Sequence, residues 1–292
     1  MHPRHTSSYD STDSSGSPGS PGSINSPASS ASPAAPASFG ALPRRALLGA
    51  LGAVAVTGAV SRPAAAAGSP TAGSLTAGSP SATSRSAAYV LLSRQAWGAD
   101  ESLRFGADGN ETWPPDYHPV QTLSVHHTGS ANGEANPAAR VRTIYRDQTV
   151  GQGWGDIGYH YLIDAAGRVY EGRWSGTDGD PAHNAAGRLV TGAHISTYNT
   201  GNVGIALLGT FSTVAPTAAA RGALVQLLAE LATRHSINPL QQKVVYVNPV
   251  NGAIWDGPAI SGHRDWAATD CPGGVLHSQL PSIRADVAAL MG

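Results

Sequence analysis

The spacing of apolar positions between residues 89 and 292 predicts an ordered series of elements. VQTLSVHH at 120–127 suits a strand that delivers its last residues to a sheet edge. Residues 137–149 read as a helix: Pro137 fits the first turn, and Val141, Ile144, Tyr145 and Gln148 recur at helical spacing. YHYLI at 159–163 and RVYE at 168–171 are short β runs around Asp164-Ala165-Ala166-Gly167, a hairpin signal. VGIALL at 203–208 is a continuous apolar run, as in a central strand covered on both faces. The strongest helix spans 217–235, with Leu224, Leu227, Leu228 and Leu231 as its stripe and Thr217 as N-cap. VVYV at 244–247 reads as a strand. Residues 281–290 close the chain as a helix with Ile283, Val287 and Leu290 on one face. No internal repeat is visible. Strands interleaved with helices, with one hairpin, predict an α/β fold: a single domain with a central mixed β-sheet flanked by helices.

The pattern is different before residue 89. Residues 1–88 are mostly Ser, Pro, Gly and Ala, with too few large apolar side chains to offset the entropy of ordering. Residues 1–43 read as a disordered leader. Residues 44–67 read as an export signal: Arg44-Arg45, a mildly apolar run from Ala46 to Val60, and a small-residue tract from Ala64 to Ala67. The paired arginines point to the twin-arginine route, although Pro43 and Gly49 depart from its usual flanks. The apolar run is too short and too rich in Gly and Ala for a stable membrane span. Residues 68–88 form a flexible linker, and the folded domain occupies 89–292. The expectation is a secreted monomer.

Charge narrows the partners. The formal net charge is −1 and no basic stripe stands out, which excludes nucleic acid as the expected partner. The single cysteine, Cys271, has no partner for an intramolecular disulfide. In an exported protein such a thiol is an oxidation liability unless it has work to do. His263 stands eight positions before it, in a loop rich in Gly and Pro, and His126-His127 lie at the predicted end of a strand. Two imidazoles and a thiolate suit tetrahedral Zn²⁺ and leave a fourth position open. Taken alone, the His-His pair and the His–Cys spacing are more often structural or incidental than metal-binding.

Seven blocks, in order, change that balance: SRQAWGA at 93–99, VHHT at 125–128, GWGDIGYHYLID at 153–164, VYEGR at 169–173, GAH at 192–194, YNTGNVGIALLG at 198–209 and GHRDWAATDCPG at 262–273. Residues 89–292 resemble the zinc-dependent N-acetylmuramoyl-L-alanine amidases of the peptidoglycan recognition protein and phage lysozyme type. The resemblance implies that His126, His263 and Cys271 hold zinc and that Tyr159 faces the reacting water. It implies peptidoglycan or muropeptides as substrate. Thr269 stands where the phage enzymes have Lys and many recognition-protein amidases have Thr, and is a second candidate catalytic hydroxyl. Gly153-Trp154 resembles the pair associated with diaminopimelate stem peptides. Trp154, His160, Glu171, His194 and Asn199 are candidate substrate contacts, whereas His127 is expected to pack. Two other readings stay open: a recognition module that binds without cutting, and a zinc hydrolase of another amide.

Overall fold

The structure, a computed structural model, describes residues 89–177 and 180–292. The expected leader, export signal and linker at 1–43, 44–67 and 68–88 lie outside the described residues. In chain order the described residues form β1 (Val90–Leu92), α1 (Arg94–Trp97), β2 (Tyr117–His118), β3 (Thr122–His127), α2 (Pro137–Arg146), β4 (Tyr161–Ile163) and β5 (Arg168–Glu171). There follow β6 (Leu189–Val190), β7 (Asn202–Leu207), α3 (Ala218–Arg234), β8 (Val244–Val247), β9 (Ile254–Gly257), β10 (Ile260–Gly262) and α4 (Gly274–Met291).

Six strands make the central sheet in the order β1-β5-β4-β7-β3-β10. Only the β4–β5 hairpin is antiparallel; the other four pairings are parallel. The sheet is therefore mixed, as the sequence predicts. Side chains alternate across a strand, and here the two faces differ in kind. Leu123 and Val125 of β3 and Val203, Ile205 and Leu207 of β7 join one apolar cluster with α3 and α4. The opposite face carries Thr122, Ser124 and His126 on β3, and Gly204 and Ala206 on β7. Along it, Leu162, Tyr170 and Ala206 pack with Trp97 of α1 and Val141 and Tyr145 of α2. The apolar run at 203–208 is thus two-sided in a specific way, with large residues toward α3 and α4 and small ones toward the other layer.

The elements read from sequence are present, with three differences. The helix starting at Pro137 is capped by the Asn136 side chain but ends at Arg146, and Asp147–Gly151 form one π turn. The closing helix begins at Gly274 rather than 281 and carries Pro281 inside it. An interior proline costs about 3 kcal/mol. The stripe Leu276, Leu280, Ile283 and Val287, fully buried against the core, outweighs it. Finally, β8 pairs with β9 in a separate two-stranded sheet. The short strands β1, β2, β6, β9 and β10 carry two to four residues each, too few for a period to register in the sequence. Among the described residues no helix is long and apolar enough to cross a membrane.

Candidate metal centre

His126 and His127 are neighbours in sequence, but strand alternation sends them to opposite faces of the sheet. His127 lies on the α4 side, where its Nδ1 accepts the Phe211 N–H at 3.3 Å. His126 lies on the other side, fully buried. The next candidate donor arrives through register. β10 runs parallel to β3, with Ser261 opposite Ser124 and Gly262 opposite Val125. The residue that leaves β10, His263, therefore emerges level with His126, and the two rings are 4.8 Å apart. A short 3₁₀ turn, His263–Asp265, follows; Asp265 Oδ2 accepts the Gly262 N–H at 2.7 Å and its Oδ1 meets His277 Nε2 at 2.8 Å.

The chain then loops back. Arg264 N–H donates to the Cys271 carbonyl at 2.9 Å, and His127 N–H donates to Cys271 Sγ at 3.3 Å. Thr269 Oγ1 accepts the Cys271 N–H at 3.2 Å, so the exposed Thr269 side chain shapes the turn that presents the thiol. One donor atom each from His126, His263 and Cys271 lies within 4.8 Å of the others, and Cys271 Sγ is 3.6 Å from His126 Nδ1. Zinc bonds of about 2.0–2.3 Å in a tetrahedron set donors about 3.3–3.8 Å apart. The donor chemistry also fits. Burial lowers the pKa of both imidazoles, leaving lone pairs available at neutral pH. Burial pushes the Cys271 thiol up to about 11, against the pull of the His127 N–H, a penalty that a bound cation reverses.

Tyr159 stands beside this set, its ring 5.4 Å from that of His126. Burial, then the nearby Cys271, raises its pKa, so the phenol stays a proton donor across the neutral range. On one side of Tyr159 is a polar groove of roughly 230 Å³ that includes Thr128, Arg140, Asp147 and Gln148. A second, more apolar recess of roughly 290 Å³ is lined by Thr112, Trp113, Gly153, Trp154 and Ala193. Gly158 lies against that recess, where a Cβ would meet the Trp154 ring at 3.1 Å and the Ala193 carbonyl oxygen at 2.0 Å. Trp154 is 38% exposed and open to a ligand.

Four expected substrate contacts are placed differently. His160 is fully buried, with Nδ1 accepting the Gly204 N–H at 2.9 Å and Nε2 facing the Val190 carbonyl at 2.7 Å; both ring nitrogens are committed to backbone. Asn199 spends its carbonyl oxygen on the N–H groups of His194 and Ile195, both at 2.7 Å. Glu171 sits on β5, separated from β3 by β4 and β7, and accepts the Arg94 N–H at 3.0 Å. His194 is buried and meets His126, with Nδ1 at 3.1 Å from His126 Nε2. Its pKa falls to about 3 through burial, so it is neutral.

A charged cluster that the sequence reading missed holds the loop behind the cleft. Asp156, fully buried, bonds Arg94 at 3.0 Å and Arg173 at 2.8 Å, and accepts the N–H groups of Ile157 and Trp174. Its only sequence signal is a lone acid inside the block GWGDIGYH.

The family described as N-acetylmuramoyl-L-alanine amidase (Amidase_2) matches residues 116–274. A human N-acetylmuramoyl-L-alanine amidase is 31% identical over 166 residues, covering 56% of this chain and 24% of the human protein. The chain spans about a quarter of the length of the human and pig amidases it matches. Peptidoglycan-recognition protein SC2 of Drosophila melanogaster is 30% identical over 186 residues, 63% of this chain and 80% of that protein. Among solved structures, wild-type Drosophila PGRP-LB aligns with a TM-score of 0.48 and 26% identity, covering 66% of this chain and 92% of that one.

Proposed function

The chain belongs to the N-acetylmuramoyl-L-alanine amidase family, and on that premise we propose that it is a secreted zinc amidase that cuts the bond between N-acetylmuramic acid and L-alanine in peptidoglycan. The observation that carries the reading is the donor set: His126, His263 and Cys271 converge within 4.8 Å beside the Tyr159 ring. A module that only binds has no need of three converging metal donors with a phenol beside them.

Zinc held by these residues supplies a Lewis acid and makes water a stronger nucleophile near neutral pH. The rest falls to the protein. Hydrolysis breaks the C–N bond, puts the oxygen of water on the carbonyl carbon and one proton on the leaving alanine nitrogen. The Tyr159 phenol donates a hydrogen bond to the amide oxygen as negative charge develops there. Thr269 accepts from the Cys271 N–H but keeps its own hydroxyl proton to donate. We assign the proton for the leaving nitrogen to the attacking water: its second proton passes to the nitrogen through a water relay beside Tyr159, and the phenol ends the step protonated as it began. Trp154 and Trp113 wall the recess for the stem peptide, and the groove along α2 takes the more polar part of the substrate.

The second reading, a recognition module, is favoured by the name of the Drosophila relative. Product analysis on intact peptidoglycan separates the two. The amidase releases alanine amino termini without new reducing sugars, loses that activity to a chelator and regains it with Zn²⁺. Muropeptide binding with no release by the zinc-loaded protein sinks the amidase and leaves the module. Cleavage of a different bond identifies a zinc hydrolase of another amide.

A further inference from the structure

The amidase reading leaves the buried imidazole of His194 without a role. Its surroundings fix its hydrogens. The Asn202 carbonyl oxygen can only accept, so His194 Nε2, 3.0 Å away, carries a proton and donates it. A charged imidazolium is costly in this buried place, because neither ring nitrogen meets a carboxylate. Neutral His194 therefore presents a bare Nδ1. His126 Nε2, 3.1 Å from that atom, must be the donor. A neutral imidazole with its proton on Nε2 has its lone pair on Nδ1, and Nδ1 is the atom of His126 that lies 3.6 Å from Cys271 Sγ.

We infer that His194 is a positioning residue: it selects the Nε2–H tautomer of His126 and aims the bare Nδ1 at the space shared with His263 and Cys271. The donor set is thereby arranged before any cation arrives. Metal-binding imidazoles commonly hand their second N–H to a carboxylate, a carbonyl or water; here a second imidazole relays that bond to a strand carbonyl. The far end of the relay is rigid. Asn202 opens β7, its side chain accepts from Ser124 Oγ at 2.8 Å, and its amide donates to the Tyr198 carbonyl at 3.1 Å. The near end is rigid too, since Asn199 holds the His194 backbone N–H. Gly204 makes room: a Cβ there would lie 2.5 Å from the His194 ring carbons. Asn199 and Gly204 thus serve His194 rather than substrate.

The zinc half of this inference rests on the amidase reading, whereas the tautomer half does not. The first measurement is therefore made on metal-free full-length protein: two-bond nitrogen–proton correlation of the histidine rings, assigned with single-histidine variants. The expected result is a proton on Nε2 and none on Nδ1 for both His126 and His194. A proton on His126 Nδ1 overturns the proposal, whether or not the protein binds zinc. The second measurement is zinc affinity by chelator competition. His194→Ala lowers it about 10–100-fold, and His194→Gln, which keeps an acceptor for His126 and a donor for Asn202, recovers part of the loss. Wild-type affinity in His194→Ala overturns the proposal. If His194→Ala fails to fold, the wild-type tautomer result still decides it. Correct tautomers with no zinc binding by the wild type leave the positioning role intact and defeat the amidase reading instead.

Discussion

Gly204→Ala adds one methyl group to the middle of β7 and tests the link between sheet and metal centre. The new Cβ would stand 2.5 Å from His194 Cγ and Cδ2 and 2.8 Å from Nδ1. Carbon atoms in contact sit about 3.5–4.0 Å apart, so the ring must retreat by about 1 Å. It is pinned at both nitrogens, at 3.1 and 3.0 Å, and a shift of that size breaks at least one of the two bonds. Overpacking costs about 1–3 kcal/mol, and a lost buried hydrogen bond about 1 kcal/mol. The lower entropy of the unfolded Ala chain returns about 0.5–1 kcal/mol. The net loss is about 1–3 kcal/mol, read from urea unfolding of the metal-free protein by tryptophan fluorescence. Zinc affinity falls about 10–100-fold in the same variant. A double-mutant cycle isolates the cause: in a His194→Ala background the clash partner is gone, so Gly204→Ala becomes neutral or stabilising by up to about 1 kcal/mol. The reasoning fails if the single substitution leaves stability and zinc affinity unchanged, or if it is equally damaging with and without His194.

Three further outcomes are expected. Asp156→Asn strips the shared counter-charge from buried Arg94 and Arg173, at about 3–5 kcal/mol and a Tm lower by about 10 °C or more by calorimetry; a change under 1 kcal/mol would refute the role given to this cluster. Tyr159→Phe keeps zinc affinity but lowers turnover on muropeptides by about 10²-fold, and full turnover removes the phenol from the mechanism. Stability falls as pH drops from about 6.5 toward 4. Burial lowers the pKa of His183, and burial with the facing His183 brings His235 to about 4. The unfolded chain, with His near 6.5, binds more protons in that window, so stability is full above it and lost below. Urea unfolding at several pH values checks this, and His235→Gln flattens the slope; an unchanged slope refutes the assignment.

The strands β3 and β7, the hairpin and α3 were legible because the apolar runs that mark them extend over four residues or more, whereas the edge strands β1 and β10 were not. Pro281 favours a helix start in sequence, and only packing against α3 shows that α4 begins at Gly274 and runs through it. The convergence of His126 with His263 is shown by the β3–β10 register, which three residues of β10 cannot announce, and that of Cys271 by the loop that folds back onto Arg264 and His127. The candidate contacts His160, Asn199 and Glu171 share a different feature. Each is polar and close in sequence to the cleft blocks, yet His160 commits both ring nitrogens, Asn199 its carbonyl oxygen and Glu171 one carboxylate oxygen to backbone N–H or C=O groups, a commitment visible only once neighbouring strands are placed. Asp156 carries only a slight signal, a lone acid in a block dense with glycine, which does not separate a buried counter-charge from a surface acid.

The position of β10 has a consequence for how the domain lives and unfolds. It is a three-residue strand at the edge of the sheet, and one metal donor follows directly from it. The Cys271 and His126 donors are 145 residues apart, and closing a loop of that length costs about 4 kcal/mol in chain entropy beyond the constant term. On the zinc reading proposed above, the metal would not guide the early chain; it would act as a clasp, fastened after β10 has docked. Such a clasp leaves the folding rate nearly untouched and slows the reverse process. Without it, the edge from Ile260 to Cys271 is the segment most ready to open locally, so amide exchange there should quicken on metal removal while β7, held between two neighbours, keeps its protection.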